Sequence, residues 1–232
     1  MSDWPEDATI QRFSDATSSS GVMVFAEMVD GELLNVGREL MGPGREMADQ
    51  LGVSLSAMII HHDVGSAPQD LISLGADKVV VVKDDRLEHF TTLPYTRALS
   101  DYLMNVHRPE ILLMGATTTG RDLAPRVASR VDAGVTADCT KLSVGPFYHR
   151  KTKTVTTHML EAHRPSFGES KLACIMSNPQ QLWAPAMATA RPGIFIAPSS
   201  DSSRTGEVED FTPSWADNDF DVEVIDVRRG GG

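Results

Sequence analysis

Ile111-Leu112-Leu113-Met114-Gly115-Ala116-Thr117-Thr118-Thr119-Gly120-Arg121-Asp122 is the stretch whose reading decides the fold class. Four consecutive apolar residues suit a strand buried on both faces, and Gly115 ends it. The Thr- and Gly-rich turn that follows opens a helix running to about Val131. A strand covered on both faces and leading directly into a helix is the repeating unit of a parallel sheet between two helical layers.

The same unit recurs upstream. Lys78 to Val82 is a second buried run, followed by a helix from about Pro94 to Val106. Before it stand Ser56 to Ile60, a helix from Pro68 to Leu74 and a stop at Gly75. The first buried run is Val22 to Ala26. Between the first two strands, Asp30-Gly31 signals a tight turn with a brief return strand from Leu33 to Val36. Glu46 to Leu51 then reads as helix, with Pro43 confined to its first turn. Strand and helix alternate throughout, which predicts an α/β protein with an open, mostly parallel sheet, helices on both faces and right-handed crossovers.

Downstream the period changes. From Val135 to Ser177 residues alternate, as in Thr152-Lys153-Thr154-Val155-Thr156-Thr157-His158, which predicts antiparallel strands in a β-hairpin appendage. Ala197 to Ser203 reads as a linker, and Asp221 to Val227 as one further alternating strand.

Length and charge divide the chain. Its 232 residues are 41% hydrophobic and carry a net charge of −11. Residues 1–20 hold four acids and one Arg, and residues 199–232 hold nine acids and three Arg, so the body between is near neutral. Residues 1–20 read as a flexible acidic extension, 21–197 as one α/β domain, and 198–232 as an acidic linker with a strand. A field of this sign excludes a nucleic-acid partner, and no apolar run approaches the roughly 20 residues of a membrane-spanning helix. Cys139 and Cys174 stand alone, without zinc spacing or a disulfide framework. The acidic N-terminus lacks the features of a signal or transit peptide, so a cytoplasmic location is expected.

Three places invite chemistry. Gly115, Thr118, Thr119, Gly120 and Arg121 lie where a strand meets a helix N-terminus, and such a site favours an anion. The stretch matches neither GxGxxG nor GxxxxGK[ST], and helix capping explains the same residues. His61-His62-Asp63 follows the second strand, but adjacent side chains on an extended chain face apart and do not meet on one metal. His107, His149 and His158 have no apparent partner in sequence. His163-Arg164-Pro165-Ser166-Phe167-Gly168 presents a cation and an aromatic in a Gly-containing turn, suited to a flavin or a protein partner, or simply to a hairpin end. No GxSxG elbow nominates a nucleophile, so a hydrolase built on His61 or His62 ranks last.

Several stretches together resemble the electron-transfer flavoprotein alpha subunit family: Val24-Phe25-Ala26-Glu27, Gly115 through Ala128, Thr136-Ala137-Asp138-Cys139-Thr140, Arg164 through Gly168, and Ala190-Arg191-Pro192-Gly193-Ile194-Phe195. The resemblance covers about residues 21–198 and, more loosely, 221–227. It implies a Rossmann-like fold of the adenine nucleotide alpha hydrolase type, and a heterodimer with a beta subunit. It also implies electron transfer from acyl-CoA-type or other dehydrogenases to a quinone oxidoreductase or another acceptor. FAD would belong to the complete heterodimer, held mainly by a C-terminal domain whose glycine-rich segment is expected after position 227 and is absent from this sequence. This chain alone is then expected to hold no cofactor and no catalytic residue, with Arg164 as a contact to the beta-subunit cofactor. The alternative is a stand-alone adenine-nucleotide module using Gly115 to Asp122.

Overall fold

The computed structural model describes residues 4–166, 171–176 and 183–228. Its first elements lie where composition predicts a flexible extension. Strand β1 (Thr9–Arg12) leads into a short helix α1 (Phe13–Thr17), which ends at Ser18 with φ 52. The correction has a local cause. Phe13 is only 1% exposed, and the Arg12 guanidinium donates to the Leu51 carbonyl at 2.9 Å. One buried aromatic and one strand pairing supply contacts that the average composition of the segment hides.

Strand β2 (Val22–Phe25) is wholly buried. A two-stranded hairpin follows, β3 (Met28–Val29) and β4 (Glu32–Leu33), turning at Asp30 and Gly31 with φ 54 and 79. Positive φ at both central residues is the geometry that matches strand twist in tight hairpins. The return strand is shorter than predicted because helix α2 (Asn35–Leu51) already begins at Asn35. Pro43 therefore sits inside a 17-residue helix rather than in its first turn. The buried face of Val36, Leu40, Met41, Met47 and Leu51, packed on the sheet, outweighs the missing hydrogen bond of an interior proline.

Strand β5 (Leu55–Ile60), helix α3 (Ala67–Ser73), strand β6 (Lys78–Val82), helix α4 (Thr92–Asn105), strand β7 (Ile111–Gly115) and helix α5 (Thr118–Arg130) follow the sequence reading within a few residues. Next come β8 (Val135–Cys139), β9 (Lys141–His149), β10 (Thr154–Ser166), β11 (Lys171–Ile175), β12 (Ala186–Ala190) and β13 (Glu207–Asp210).

Seven strands form one sheet in the order β13-β6-β5-β2-β7-β12-β8, and each described pairing in it is parallel. Alternate residues of β2 serve opposite cores. Val22 and Val24 face the side covered by α2 and α3, while Met23 and Phe25 face the side covered by α4 and α5. Burial of each such side chain contributes about 1.5–3 kcal/mol. The fold class is thus the α/β sheet expected, covered on both faces.

The appendage is larger than a hairpin and begins later. β10 pairs antiparallel with β9 and β11 and parallel with β1, giving four strands. β8, predicted to belong to it, instead closes one edge of the parallel sheet, and β12 enters between β7 and β8. Ala186-Met187-Ala188-Thr189-Ala190 carries little β-propensity, so its strand character comes from neighbours on both sides.

The acidic C-terminal stretch is not a free linker from residue 198. Arg204 donates to Asp77 at 3.1 Å and to the Ile72 and Gly75 carbonyls, and β13 then extends the sheet beside β6. Farther along, Phe211 meets Tyr102 edge-on, and buried Asp219 accepts from Arg97 at 2.9 Å. Asp221 to Val227, predicted as a strand, has no regular structure, and Ile225 is 92% exposed.

Candidate functional site at the sheet's carboxyl edge

The chain leaves β2 towards β5 and β6 on one side, then crosses back to place β7 on the other side. The order of strands therefore reverses between β2 and β7. In open α/β sheets the crevice beyond such a reversal is where ligands bind. Here it is bounded by Ala26 and Glu27 after β2, and by Gly115 to Gly120 after β7.

Both walls are held by local structure. The β3–β4 hairpin turns the chain so that the Leu34 amide donates to the Glu27 carbonyl at 2.9 Å. The first turn of α2 then lies over β7, where a Cβ on Gly115 would come within 2.7 Å of Val36 Cγ1. Gly120 is tighter still, because a Cβ there would lie 1.8 Å from the Gly115 carbonyl oxygen. A side chain at 120 is incompatible with this approach of helix to strand.

Thr117 is the N-cap of α5, and its hydroxyl oxygen accepts from the Gly120 amide at 2.9 Å. The same hydroxyl donates to Glu27 Oε2 at 2.5 Å. Thr119 of the first turn also favours the charged form of Glu27. Glu27 is only 5% exposed. Burial pushes its carboxyl above the usual range, and the two threonines only partly reverse this. The charge of Glu27, after burial itself, also pushes the Tyr95 phenol up.

The other predicted residues separate. Thr118 is exposed. Arg121 pairs with Asp138 at 2.9 Å, and Asp122 accepts from Thr92 at 2.7 Å and from Arg126 at 3.0 Å, tying α5 to β8 and α4. His61 is 1% exposed, and its Nδ1 lies 2.6 Å from the Asp63 carbonyl oxygen. His62 beside it is exposed, and the two rings lie 4.5 Å centre to centre instead of facing apart, because the strand already ends at Ile60. A backbone carbonyl, not a carboxylate, orients His61, so the acid of a hydrolytic triad is lacking at that nitrogen. Among the described residues no group of three or more His, Cys, Asp or Glu is placed to hold a metal.

Arg164 stands in β10 opposite Ala173 of β11. It lies close enough to the buried Cys139 thiol to act on it electrostatically, although burial dominates and pushes that thiol up to about 11. Cys139 and Gly115 share a register level on either side of Ala190. Cys139, the residue on which Arg164 acts, thus lies two strands, about 10 Å, from the β7 end that carries the α5 loop. The Phe167-Gly168 part of its turn lies outside the described residues. Sequence reasoning missed Glu27 as a site residue. The signal was an acid placed directly after a buried strand.

Residues 22–215 match the electron transfer flavoprotein domain family. The chain belongs to that family. Electron transfer flavoprotein subunit alpha of Clostridium acetobutylicum is 45% identical over 175 residues, which is 75% of this chain and 48% of that protein. The subunit alpha of Thermoanaerobacterium thermosaccharolyticum is 37% identical over 208 residues, 90% of this chain and 59% of the relative. The protein named FixB of Clostridium saccharobutylicum is 41% identical over 209 residues, 90% of this chain and 58% of the relative. The chain therefore spans about half to three fifths of the length of these relatives. Among its described residues no helix is long and apolar enough to cross a membrane.

The family name implies a flavin, and the crevice of this chain does not fit one. A flavin dinucleotide brings a pyrophosphate, which needs open N–H groups and an uncharged approach at the helix N-terminus. Here the Gly120 amide is taken by Thr117, and a buried carboxylate stands beside it.

Proposed function

We propose that this chain is the portion of an electron-transfer flavoprotein alpha subunit that docks a beta subunit and carries a flavin domain, rather than a self-sufficient enzyme. The observation that carries this reading is the alignment with alpha subunits over most of this chain and only about half of theirs. The remaining length of those relatives is room for a flavin-bearing domain. Electrons would pass through the complete heterodimer, from acyl-CoA-type or other dehydrogenases to a quinone oxidoreductase or another acceptor, in the cytoplasm.

In that assembly Arg164 is the residue of this chain proposed to reach the beta subunit's cofactor. The tether to the flavin domain begins at about residue 221 rather than at 198, because the chain before it is anchored through Arg204, Phe211 and Asp219. Beyond Phe220 the chain has no regular structure, with Val222, Ile225 and Val227 exposed. Hinge motion of a carried domain would be absorbed there.

The test is purification of this chain from its source under native conditions, with mass spectrometry of what accompanies it and an absorption spectrum. A beta-type subunit and a flavin spectrum that follows the complex support the reading. A colourless chain with no protein partner overturns it. The stand-alone nucleotide module is the weaker reading, since the loop it requires is engaged with Glu27.

A further inference from the structure

The loop at Gly115 to Gly120 leads from a strand end into a helix N-terminus, a place that favours an anion, yet the chain places its own acid against it. We propose that Glu27 is a built-in anion that closes the crevice between β2 and β7, so that this domain excludes nucleotide phosphates from the position its fold would otherwise offer them.

Four observations carry this. Glu27 is 5% exposed, so the carboxylate lies inside the crevice and not at its rim. It is held by the hydroxyl of Thr117, the N-cap of α5, with Thr119 of the first turn near enough to favour its charged form, and these are groups that would otherwise face an anionic ligand. The hydroxyl of Thr117 simultaneously accepts from the Gly120 amide, so this donor of the helix start is taken without a ligand. The Glu27 backbone is fixed by the Leu34 amide through the β3–β4 hairpin, so the side chain is positioned by the sheet and does not arrive from a loose loop.

The chemistry is substitution of like for like. A carboxylate near a helix N-terminus gains from the same dipole and the same donors that stabilise a phosphate. Having an anion supplied in cis, the site repels a second one at close range in a low-dielectric setting. Glu27 is then a specificity-determining residue whose effect is exclusion. The inference does not depend on the electron-transfer reading, because it concerns only what this crevice holds.

The experiment is calorimetric titration of the full chain with AMP and, separately, with inorganic phosphate, for wild type, Glu27→Ala and Glu27→Gln. Wild type is expected to give no saturable heat. Glu27→Ala, which vacates the position, is expected to bind AMP roughly tenfold or more tightly than wild type, a change of about 1.4 kcal/mol. Saturable AMP binding by the wild type that titrates amide resonances of residues 118–121 overturns the proposal. So does a Glu27→Ala variant that is folded by circular dichroism and remains silent. If the Ala variant does not fold, Glu27→Gln decides: it keeps the shape and a hydrogen-bond acceptor for Thr117 while removing the charge. Tighter binding of phosphate than by wild type supports the proposal, and a silent Gln variant overturns it.

Discussion

The Thr117 hydroxyl lies 2.5 Å from the Glu27 carboxylate, joining the end of the first core strand to the first turn of a helix 90 residues later. Each residue completes the other. Thr117 needs its hydroxyl oxygen for the Gly120 amide and has its proton left to donate, and Glu27 accepts it.

Replacing Thr117 with Val should therefore remove a helix cap and leave a buried carboxylate short of one donor. The expected loss of stability is about 1–3 kcal/mol. Urea unfolding followed by circular dichroism measures it, and a midpoint equal to that of wild type would show that the contact contributes nothing.

Glu27 also makes stability depend on pH. Burial raises its folded-state carboxyl above the unfolded value of about 4.3, so the folded protein binds the proton more readily than the unfolded chain. The stability associated with that proton is present below the unfolded value and is lost as pH rises through the folded one. Glu27→Gln, which mimics the protonated form, should gain on wild type as pH increases from about 4 towards neutrality. Thermal midpoints of both proteins across that range test it, and parallel curves would exclude a raised carboxyl at this position.

Gly120 tolerates no side chain. An added Cβ would lie 1.8 Å from the Gly115 carbonyl oxygen, so α5 must shift, at a cost of about 1–3 kcal/mol for Gly120→Ala. Gly134→Ala is the control, since a Cβ there meets nothing within 4 Å. Denaturation midpoints that are equal for the two variants would refute the close approach.

Arg204 clamps the C-terminal segment to the body through Asp77, whose other oxygen accepts from Arg45 at 2.8 Å. Burial alone would raise the Asp77 carboxyl, but the Leu55 amide and the two guanidinium groups outweigh it and hold it below its usual range. A depressed carboxyl contributes above its unfolded value, about 3.9, and that contribution fades as pH falls through the folded one. Arg204→Ala should lower the amide protection factors of Glu207 to Asp210 at neutral pH, and acid should lower them in wild type once intrinsic exchange is corrected for pH. Exchange insensitive to both would place the anchor elsewhere.

The periodicity of the first 131 residues was enough to place the buried strands and their helices, because apolar runs that serve two cores admit few alternatives. Reading failed where local signals were weak or opposed by packing. Pro43 argued for a helix start, yet the amphipathic face from Val36 to Leu51 carried the helix through it. β12, built mostly of Ala, gave no signal of its own. The N-terminal and acidic C-terminal segments looked solvated on average, while single residues such as Phe13 and Asp219 pinned them.

By itself the amino-acid sequence determined the α/β class, the strand-to-helix turn at Gly115 to Asp122, the absence of a nucleic-acid-binding charge pattern, and the residues that resemble the electron-transfer flavoprotein family. These are local or additive properties, legible because burial and turn chemistry act within a few residues. Only the tertiary structure decided that Glu27 meets Thr117, that β12 lies between β7 and β8, and that the C-terminal segment is docked as far as Phe220. Each of those depends on which distant strands become neighbours, and a hydrogen bond across 90 residues leaves no periodic trace in the chain that forms it.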